Sequence, residues 1–349
     1  EIRMRNLKRA LSLTLASVML LGMMVVGSSA AGYPDVSEEE NIEAIEVLQS
    51  VGVMEGDNNG NFNPDDYVTR EQMAVIMSKL LNLDYNYYQG TNPFSDVPAW
   101  AAPYVAACAA NGITSGIGGG MYGAGQNVNA VQAALMMLKA LGYFQYQADF
   151  DNDYVLATVK QATEIGMFAG IDSNAQAALT RNEVAQMALN ALQSDLVRFT
   201  GDVGIEIPNV GNVGYKSEYT PRTSTDPKYN RLIDNKHSSN IDTSGQYYCQ
   251  LGEELYNGNL VKRIDSDVFE RPSYTWTYKT EKIGTYVDRE KLLATYTSGV
   301  SGRTLYDLLN NITIRDYDLE AAVDGHEAAN NKTSYSTQYD AAYKKDSTA

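Results

Sequence analysis

A turn that leads into a helix occurs three times in this 349-residue chain, and this repetition constrains the fold more than any other feature. The three copies pair a cap residue with Gln or Glu three positions later: Thr69 with Gln72, Asn129 with Gln132, and Thr180 with Glu183. The first side chain of each pair can accept a hydrogen bond from the free amides at the helix start, and the second can reach back to the cap. Apolar or small residues follow each cap at plus 4, 7, 8, 11 and 12. This spacing predicts three helices that each bury one stripe.

A glycine-bounded turn precedes each capped helix. Its two glycines are Gly52 and Gly56, Gly112 and Gly116, and Gly166 and Gly170. The first glycine of each pair suits the left-handed residue that ends a helix. Apolar or small residues 10, 7 and 4 positions before that glycine predict the helix itself, and in the third copy they are Leu156, Val159 and Ala162. Each unit is therefore predicted as helix, turn, polar loop and capped helix, and the chain repeats this unit three times.

The second residue of the capped turn varies independently of the cap. It is arginine in the first and third copies, at Arg70 and Arg181, but Ala130 in the second. Because a helix cap needs no arginine, these two residues are better candidates for ligand binding than the cap residues are. A guanidinium can form two parallel hydrogen bonds with a carboxylate and keeps its charge at any relevant pH.

Residues 1–31 have the pattern of a secretory signal peptide. Four basic residues come first, an apolar run follows over residues 10–27, and small residues close the segment. The alternative is a membrane anchor, although this run is at the short limit for a bilayer span. The rest of the chain has no comparable run, so the mature protein is expected to be exported and to contain no transmembrane segment.

Composition argues against several classes of function. The net charge of -16 argues against nonspecific nucleic-acid binding. Cys108 and Cys249 are expected to be unpaired, and neither histidine has zinc-site spacing. Acidic and amide residues over 57–61 resemble the start of a calcium loop, but Phe62 and Val68 stand where such a loop requires Gly and Glu. We therefore expect no cofactor, and calcium in particular has no supporting motif.

Several further motifs recur in a fixed order. The opening segment Tyr33-Pro34-Asp35-Val36 returns as Phe94-Ser95-Asp96-Val97, and the first loop contains Gly60-x-Phe62-x-Pro64. Together with the glycine turns and the two Thr-Arg pairs, these motifs resemble those of S-layer homology domains. The resemblance implies a mainly α N-terminal half in which three helix-loop-helix repeats, residues 32–92, 93–147 and 148–195, assemble as a pseudo-threefold spindle. It also implies non-covalent binding to an acidic secondary polysaccharide of the bacterial cell wall.

The resemblance places the ligand contacts in grooves between the repeats. The candidates are the cap residues, the arginines, two aromatic residues and the second glycine of each turn: Thr69, Arg70, Gln72, Thr180, Arg181, Glu183, Trp100, Tyr154, Gly56, Gly116 and Gly170. The two aromatic rings suit stacking on a sugar, and they equally suit packing on the core at a helix end. The second repeat lacks the arginine, and the third lacks a clear opening motif and the Gly-x-Phe-x-Pro loop. We therefore expect two working half-sites and one weakened groove.

The C-terminal part has a different pattern. Residues 196–245 are rich in Gly, Pro, Asn, Ser and Thr and are predicted as a linker or a loosely structured strand region. Residues 246–319 are predicted as a β-rich or α+β surface domain, with a strand over 273–278, a partner over 283–287 and a helix over 301–309. Residues 320–349 are polar and are predicted as a mobile tail or a truncated domain.

Three functions are compatible with these repeats. The favoured one is a non-enzymatic surface or S-layer protein that binds a secondary wall polysaccharide or peptidoglycan, with self-association in a surface layer as a further expectation. The alternatives are a tethered carbohydrate-active hydrolase and an anchored adhesin. No facing pair of carboxylates and no nucleophile with its base can be recognised in the sequence, which disfavours the hydrolase.

Overall fold

The computed structural model describes residues 32–37, 41–150, 153–207, 211–232, 242–268 and 271–289. The predicted signal peptide, the predicted helix over 301–309 and the predicted tail lie outside these residues. The described part of the N-terminal half is mainly helical, and small antiparallel sheets follow in the C-terminal part. None of the helices within the described ranges has the length and hydrophobicity that crossing a bilayer requires.

Six helices form three consecutive pairs. They are α1 (Ile42–Ser50) with α2 (Arg70–Leu80), α3 (Ala102–Ala110) with α4 (Ala130–Leu141), and α5 (Tyr154–Glu164) with α6 (Arg181–Leu192). The first helix of each pair ends at a glycine in the left-handed region, with φ of 76° at Gly52, 72° at Gly112 and 74° at Gly166. The helix-turn-helix order and these three left-handed glycines confirm the prediction from the sequence.

The second helix of each pair begins with the predicted capping box. The backbone amide of each cap residue donates to the side chain three positions later, at 2.9 Å for Thr69, 3.2 Å for Asn129 and 2.9 Å for Thr180. The cap side chains in turn accept from the backbone amides of those same partners. These reciprocal bonds satisfy amides that would otherwise lack partners at the helix start.

The predicted stripes are buried in the capped helices except at their periphery, where Leu81 and Ala140 are half-buried. The predicted helix α5 is confirmed, although Leu156, one of its three apolar positions, is 66% exposed. Thr158 and Ala162 face the core instead. The Thr158 hydroxyl donates to the carbonyl of Tyr154 at 2.6 Å, so its polar atom is satisfied within the helix and the residue can be buried at little cost.

The segments before the three caps are joined in a closed cycle of backbone hydrogen bonds. Val68 donates to Leu179 at 3.1 Å, Leu179 donates to Val128 at 3.0 Å, and Val128 donates back to Val68 at 2.8 Å. All three side chains are buried. Each unit therefore contacts both of the others at the residue before its cap, and the three capped helices start from one shared point.

In the described residues of the C-terminal part there are three small antiparallel sheets. Strands β1 (Val197–Ile207) and β2 (Gly211–Pro221) form a hairpin, β3 (Thr223–Ser224) pairs with β4 (Tyr247–Tyr248), and α7 (Leu251–Tyr256) leads to the sheet of β5 (Leu260–Ser266), β6 (Pro272–Tyr278) and β7 (Glu281–Val287). The predicted strand over 273–278 and its partner over 283–287 are confirmed by the pairing of Tyr274 with Tyr286. The hairpin lies within the segment predicted as a linker or loose strand region.

The three-stranded sheet packs against the helical units. Trp276 is fully buried, and its indole nitrogen donates to Glu43 of α1 at 2.5 Å. Lys262 lies 3.5 Å from the same carboxylate and donates to Gln193, just after α6, at 2.7 Å. The sheet thus covers parts of the first and third units. Cys108 and Cys249 are buried and unpaired, as predicted.

Candidate functional site

Each capped turn meets the loop of the next unit. The residue after the cap donates its backbone amide across the interface: Arg70 to Gln126 at 2.9 Å, Ala130 to Ala177 at 3.1 Å, and Arg181 to Asp66 at 2.9 Å. The position after the cap is arginine in the first and third copies and alanine in the second. In all three copies it lies at an interface between two units.

Arg181 of the third unit forms hydrogen bonds with the loop of the first unit. Its Nε donates to the carbonyl of Phe62 at 2.7 Å, and Nη2 donates to the carbonyl of Glu55 at 2.8 Å. The guanidinium lies 4.6 Å from the centre of the Phe62 ring. Burial lowers the pKa of Arg181, and nearby Asp66 opposes this effect.

Arg70 of the first unit binds the second unit in the same way. Its Nε donates to the carbonyl of Tyr122 at 3.1 Å, Nη2 donates to that of Ser115 at 3.2 Å, and the guanidinium is 4.8 Å from the Tyr122 ring centre. Arg70 is only 7% exposed, whereas Arg181 is half-buried. In both arginines Nη1 has no hydrogen-bond acceptor among the described residues. Each arginine thus joins two units and retains one unused donor group.

The opening motifs hold the loops that the arginines bind. Asp35 accepts from the amides of Phe62 and Asn63 at 2.8 and 2.6 Å. Asp96 accepts from Tyr122, Gly123 and Ala124 at 2.6, 2.7 and 2.9 Å. Bonds from the backbone, that of Tyr122 first, lower the pKa of Asp96. Each aspartate therefore positions the carbonyl that accepts from the arginine Nε.

Tyr122 is a site residue that sequence reasoning missed. Its signal was present, because Tyr122 follows Phe62 at the same offset that separates Asn129 from Thr69. Both residues are buried aromatics under an arginine. The sequence around Tyr122 does not contain the Gly-x-Phe-x-Pro pattern, so a motif search passes over it, whereas an alignment by repeat offset finds it.

The candidate glycines divide into two types. A Cβ at Gly56 would collide with the Tyr33 ring, and one at Gly116 would lie 2.6 Å from both the Phe94 ring and the Met121 carbonyl oxygen. Close packing under the opening aromatic therefore requires these two glycines. Gly170 instead has a φ of 73°, and its carbonyl accepts from Asn41 of the first unit at 3.4 Å.

The other candidates lie around these interfaces. The polar groups of Thr69, Gln72, Thr180 and Glu183 are engaged in the capping boxes. Trp100 is 56% and Tyr154 50% exposed, so packing of these rings in the core is not observed. No hydrogen bond or ring contact within the described residues joins either ring to an arginine.

The interface between the second and third units lacks the arginine arrangement. Asn129 donates through Nδ2 to Gln176 at 3.4 Å, and Ala130 replaces the arginine. The third-unit loop over 171–177 contains no aromatic residue. At this interface the arginine and its aromatic partner are therefore both absent. This is consistent with the two side chains acting as a pair.

Neither metal binding nor acid–base chemistry has an evident centre in the described residues. They contain no group of three His, Cys, Asp or Glu side chains suited to a metal ion. Burial raises the pKa of Glu46 and of Glu253 to about 7. Both carboxylates have structural partners, however: Glu46 accepts from Tyr286, and Glu253 accepts from the amides of Arg231 and Leu232 at 2.6 and 3.0 Å.

Comparison with known families identifies similarity in the first two units. A family model described as S-layer homology domain matches residues 32–74 and 93–129. These two segments are similar to S-layer homology domains. The matched segments include α1, the start of α2, α3, the cap residue of α4 and the loop aromatics Phe62 and Tyr122. The third unit lies outside them and shares with them its capping box, its arginine and its place in the hydrogen-bond cycle.

The curated relatives that this chain matches include surface proteins and an enzyme. It is 24% identical to a cell surface protein of Thermoanaerobacter kivui over 62% of this chain and 29% of that protein. It is 26% identical to S-layer protein sap of Bacillus anthracis over 38% of this chain and 16% of that protein. An endoglucanase of Bacillus sp. is 26% identical over 41% of this chain and 16% of that protein.

The chain spans less than a third of the length of each of these relatives. The shared part and the S-layer homology match identify a secreted protein of the cell surface. They also support attachment of such a surface protein to the cell wall.

Proposed function

We propose that the three units attach this protein to the cell wall by binding an acidic secondary wall polysaccharide at the two interfaces that contain arginine. The observation that carries this proposal is the shared geometry of Arg70 and Arg181, each fixed by two carbonyls across an interface with Nη1 unused. We further propose that the cycle joining Val68, Val128 and Leu179 marks the axis of a pseudo-threefold spindle.

The chemistry of the arginines suits a carboxylate or phosphate on a sugar. A guanidinium whose position is already fixed loses little conformational freedom when a ligand binds. Arg181 is more open than Arg70, so the interface between the third and first units is expected to contribute more of the affinity. The chain has a net charge of -16, so binding of a polyanion depends on these local cations and should weaken as salt screens them.

We propose a non-enzymatic role for the described part of the chain, supported by the S-layer and surface-protein names among its relatives. One observation favours a tethered hydrolase as the second candidate: the similarity to an endoglucanase. Turnover of a polysaccharide by the purified chain would decide for the hydrolase. Binding of host glycans or matrix by the C-terminal part would indicate the adhesin, and concentration-dependent sheets or fibres would indicate self-association in a surface layer.

The test is co-sedimentation of residues 32–349 with Gram-positive wall sacculi before and after acid extraction of the secondary polymer. We expect binding that disappears after extraction, whereas binding that persists would indicate peptidoglycan. Arg181→Gln and Arg70→Gln should each weaken binding by about 1.5 to 3 kcal/mol, the range for hydrogen bonds to charged groups. Unchanged affinity in the double variant would refute the role of the arginines.

A control is needed because both arginines also join units. Trp276→Phe removes a buried contact to Glu43, which bonds to neither arginine, and should lower stability without removing an arginine. If this variant binds sacculi like the wild type while the Arg→Gln variants do not, the loss of binding cannot be attributed to reduced stability.

A further inference from the structure

Four aromatic rings form a continuous cluster between the second and third units and the β1–β2 hairpin. Phe199 and Tyr219 are cross-strand partners in the hairpin, with ring centres 6.0 Å apart. Tyr143 lies 5.5 Å from Tyr219, and Tyr146 lies 5.0 Å from Phe199. This aromatic cluster is separate from the arginine interfaces, and none of the functions considered above uses it.

The outer rings of the aromatic cluster are open to solvent. Tyr146 is 52% and Phe199 37% exposed, although they contact each other. Rings that served only to hold the hairpin in place would gain most from full burial. The two rings are inclined at 58° to each other, so each leaves its own exposed surface on which one sugar ring can stack.

The polar groups beneath the rings hold them in place. The Tyr219 hydroxyl donates to Asp149 Oδ2 at 2.5 Å and accepts from the amide of Gln145 at 3.1 Å. The amide of Tyr146 donates to the same carboxylate oxygen at 2.9 Å. Asp149 Oδ1 is shielded from solvent and has no hydrogen-bond donor within the described residues. These bonds fix Tyr219 and the backbone of Tyr146 in position before any ligand arrives.

The charged groups that act on the hydroxyls of Tyr219 and Tyr143 are negative. The carboxylate of Asp149 interacts electrostatically with the Tyr219 hydroxyl. Those of Asp195 and Glu164 interact in the same way with the Tyr143 hydroxyl. Arg198 precedes Phe199 in β1 and pairs with Thr220, so strand alternation directs it to the other face of the hairpin. An anionic polymer is disfavoured here, in contrast to the interfaces that contain Arg70 and Arg181.

We propose that the aromatic cluster binds a neutral oligosaccharide of β-linked pyranose units. In β-linked units of gluco configuration every ring substituent is equatorial, so both faces of the ring expose axial C–H groups that stack on aromatic faces, and the hydroxyls at the edge remain free for hydrogen bonds. The site is thus a second carbohydrate-binding surface whose ligand differs in charge from the acidic polymer proposed for the arginine interfaces.

The test is isothermal titration of residues 32–349 with cellohexaose and with chitohexaose. We expect one of these neutral probes to bind, with about ten-fold weaker affinity in Tyr146→Ala and in Phe199→Ala, the scale of a single aromatic contact. Tyr146→Phe keeps the ring and should bind like the wild type. Tyr87→Ala, which removes another exposed tyrosine outside the cluster, should have no effect.

Absence of binding to both probes at millimolar concentration would overturn the proposal, and so would equal affinities in Tyr146→Ala and the wild type. If Phe199→Ala lowers the melting temperature, Phe199→Leu retains apolar packing of the hairpin and removes only the aromatic face. Sacculus binding of Tyr146→Ala should be unchanged, so failure at this site and failure of the proposed wall anchoring can be told apart.

Discussion

Tyr286 donates its hydroxyl hydrogen to Glu46, a residue 240 positions earlier in the chain. Glu46 lies on α1 in the first unit, and Tyr286 lies on β7 at the edge of the C-terminal sheet. Both are buried. Burial raises the pKa of Glu46 from its ordinary value of 4.5 to about 7, because a charged carboxylate there loses its hydration. Burial and the bond to Glu46 also raise the pKa of Tyr286.

Stability should fall as pH rises from about 4.5 to about 7. In this window the folded protein holds the Glu46 proton more tightly than the unfolded chain does, so raising the pH favours unfolding. Glu46→Gln removes this titration and keeps an acceptor for Tyr286. At pH 8 the variant should be more stable than the wild type by about 1 to 3 kcal/mol, and at pH 4 the two should be similar. Urea denaturation at both pH values measures the difference.

Part of the pH dependence should survive in Glu46→Gln, because burial also raises the pKa of Glu253 to about 7. The variant must nevertheless have a shallower slope of unfolding free energy against pH than the wild type. Identical slopes would mean that Glu46 is not protonated in the folded protein at neutral pH.

Trp276→Phe should destabilise the protein by about 2 kcal/mol, because it removes the indole bond to Glu43 and leaves a gap in a fully buried site. Ile264→Ala in the neighbouring strand is the matched control, since Ile264 is 75% exposed and its loss should cost little. The comparison is made by urea denaturation. Equal midpoints for the two variants would show that the sheet does not depend on its contact with α1.

Gly116→Ala should destabilise the second unit by about 1 to 3 kcal/mol, the usual cost of overpacking. The new methyl group would lie 2.6 Å from the Phe94 ring and from the Met121 carbonyl oxygen, so both must move. Because Met121 precedes Tyr122, the shift should also disturb the loop that Arg70 binds. Gly32→Ala, with no atom within 4 Å of the new methyl group, should melt like the wild type in thermal denaturation.

Arg181→Lys should cost about 1.5 to 3 kcal/mol of stability although it keeps the charge. A lysine has a single ammonium group and cannot reproduce the fork that reaches both Phe62 and Glu55. Arg198→Lys on the exposed part of β1 is the control and should change the unfolding free energy by less than about 0.5 kcal/mol. If the two variants have the same unfolding free energy, Arg181 does not stabilise the contact between the first and third units.

Local features of the fold follow directly from the sequence. The capping boxes at Thr69, Asn129 and Thr180 and the left-handed glycines depend on residues a few positions apart, so short-range chemistry determines them. The alternating strand over 273–278 and its partner are also local. The buried face of α5 is not local in this sense, because several of its apolar residues could have formed it and only packing against the other helices selects one.

The sequence alone determined that three similar units exist, where their helices begin and that two of them carry an arginine at the same position. Tertiary structure decided what those arginines contact: Arg181 meets Phe62 and Arg70 meets Tyr122 only because the units close into a cycle. It also decided that Glu46 is buried under a sheet 240 residues away and that Trp100 and Tyr154 face solvent. The physical reason is that caps and turns depend on neighbouring residues, whereas burial and contacts between units depend on long-range packing that no local pattern encodes.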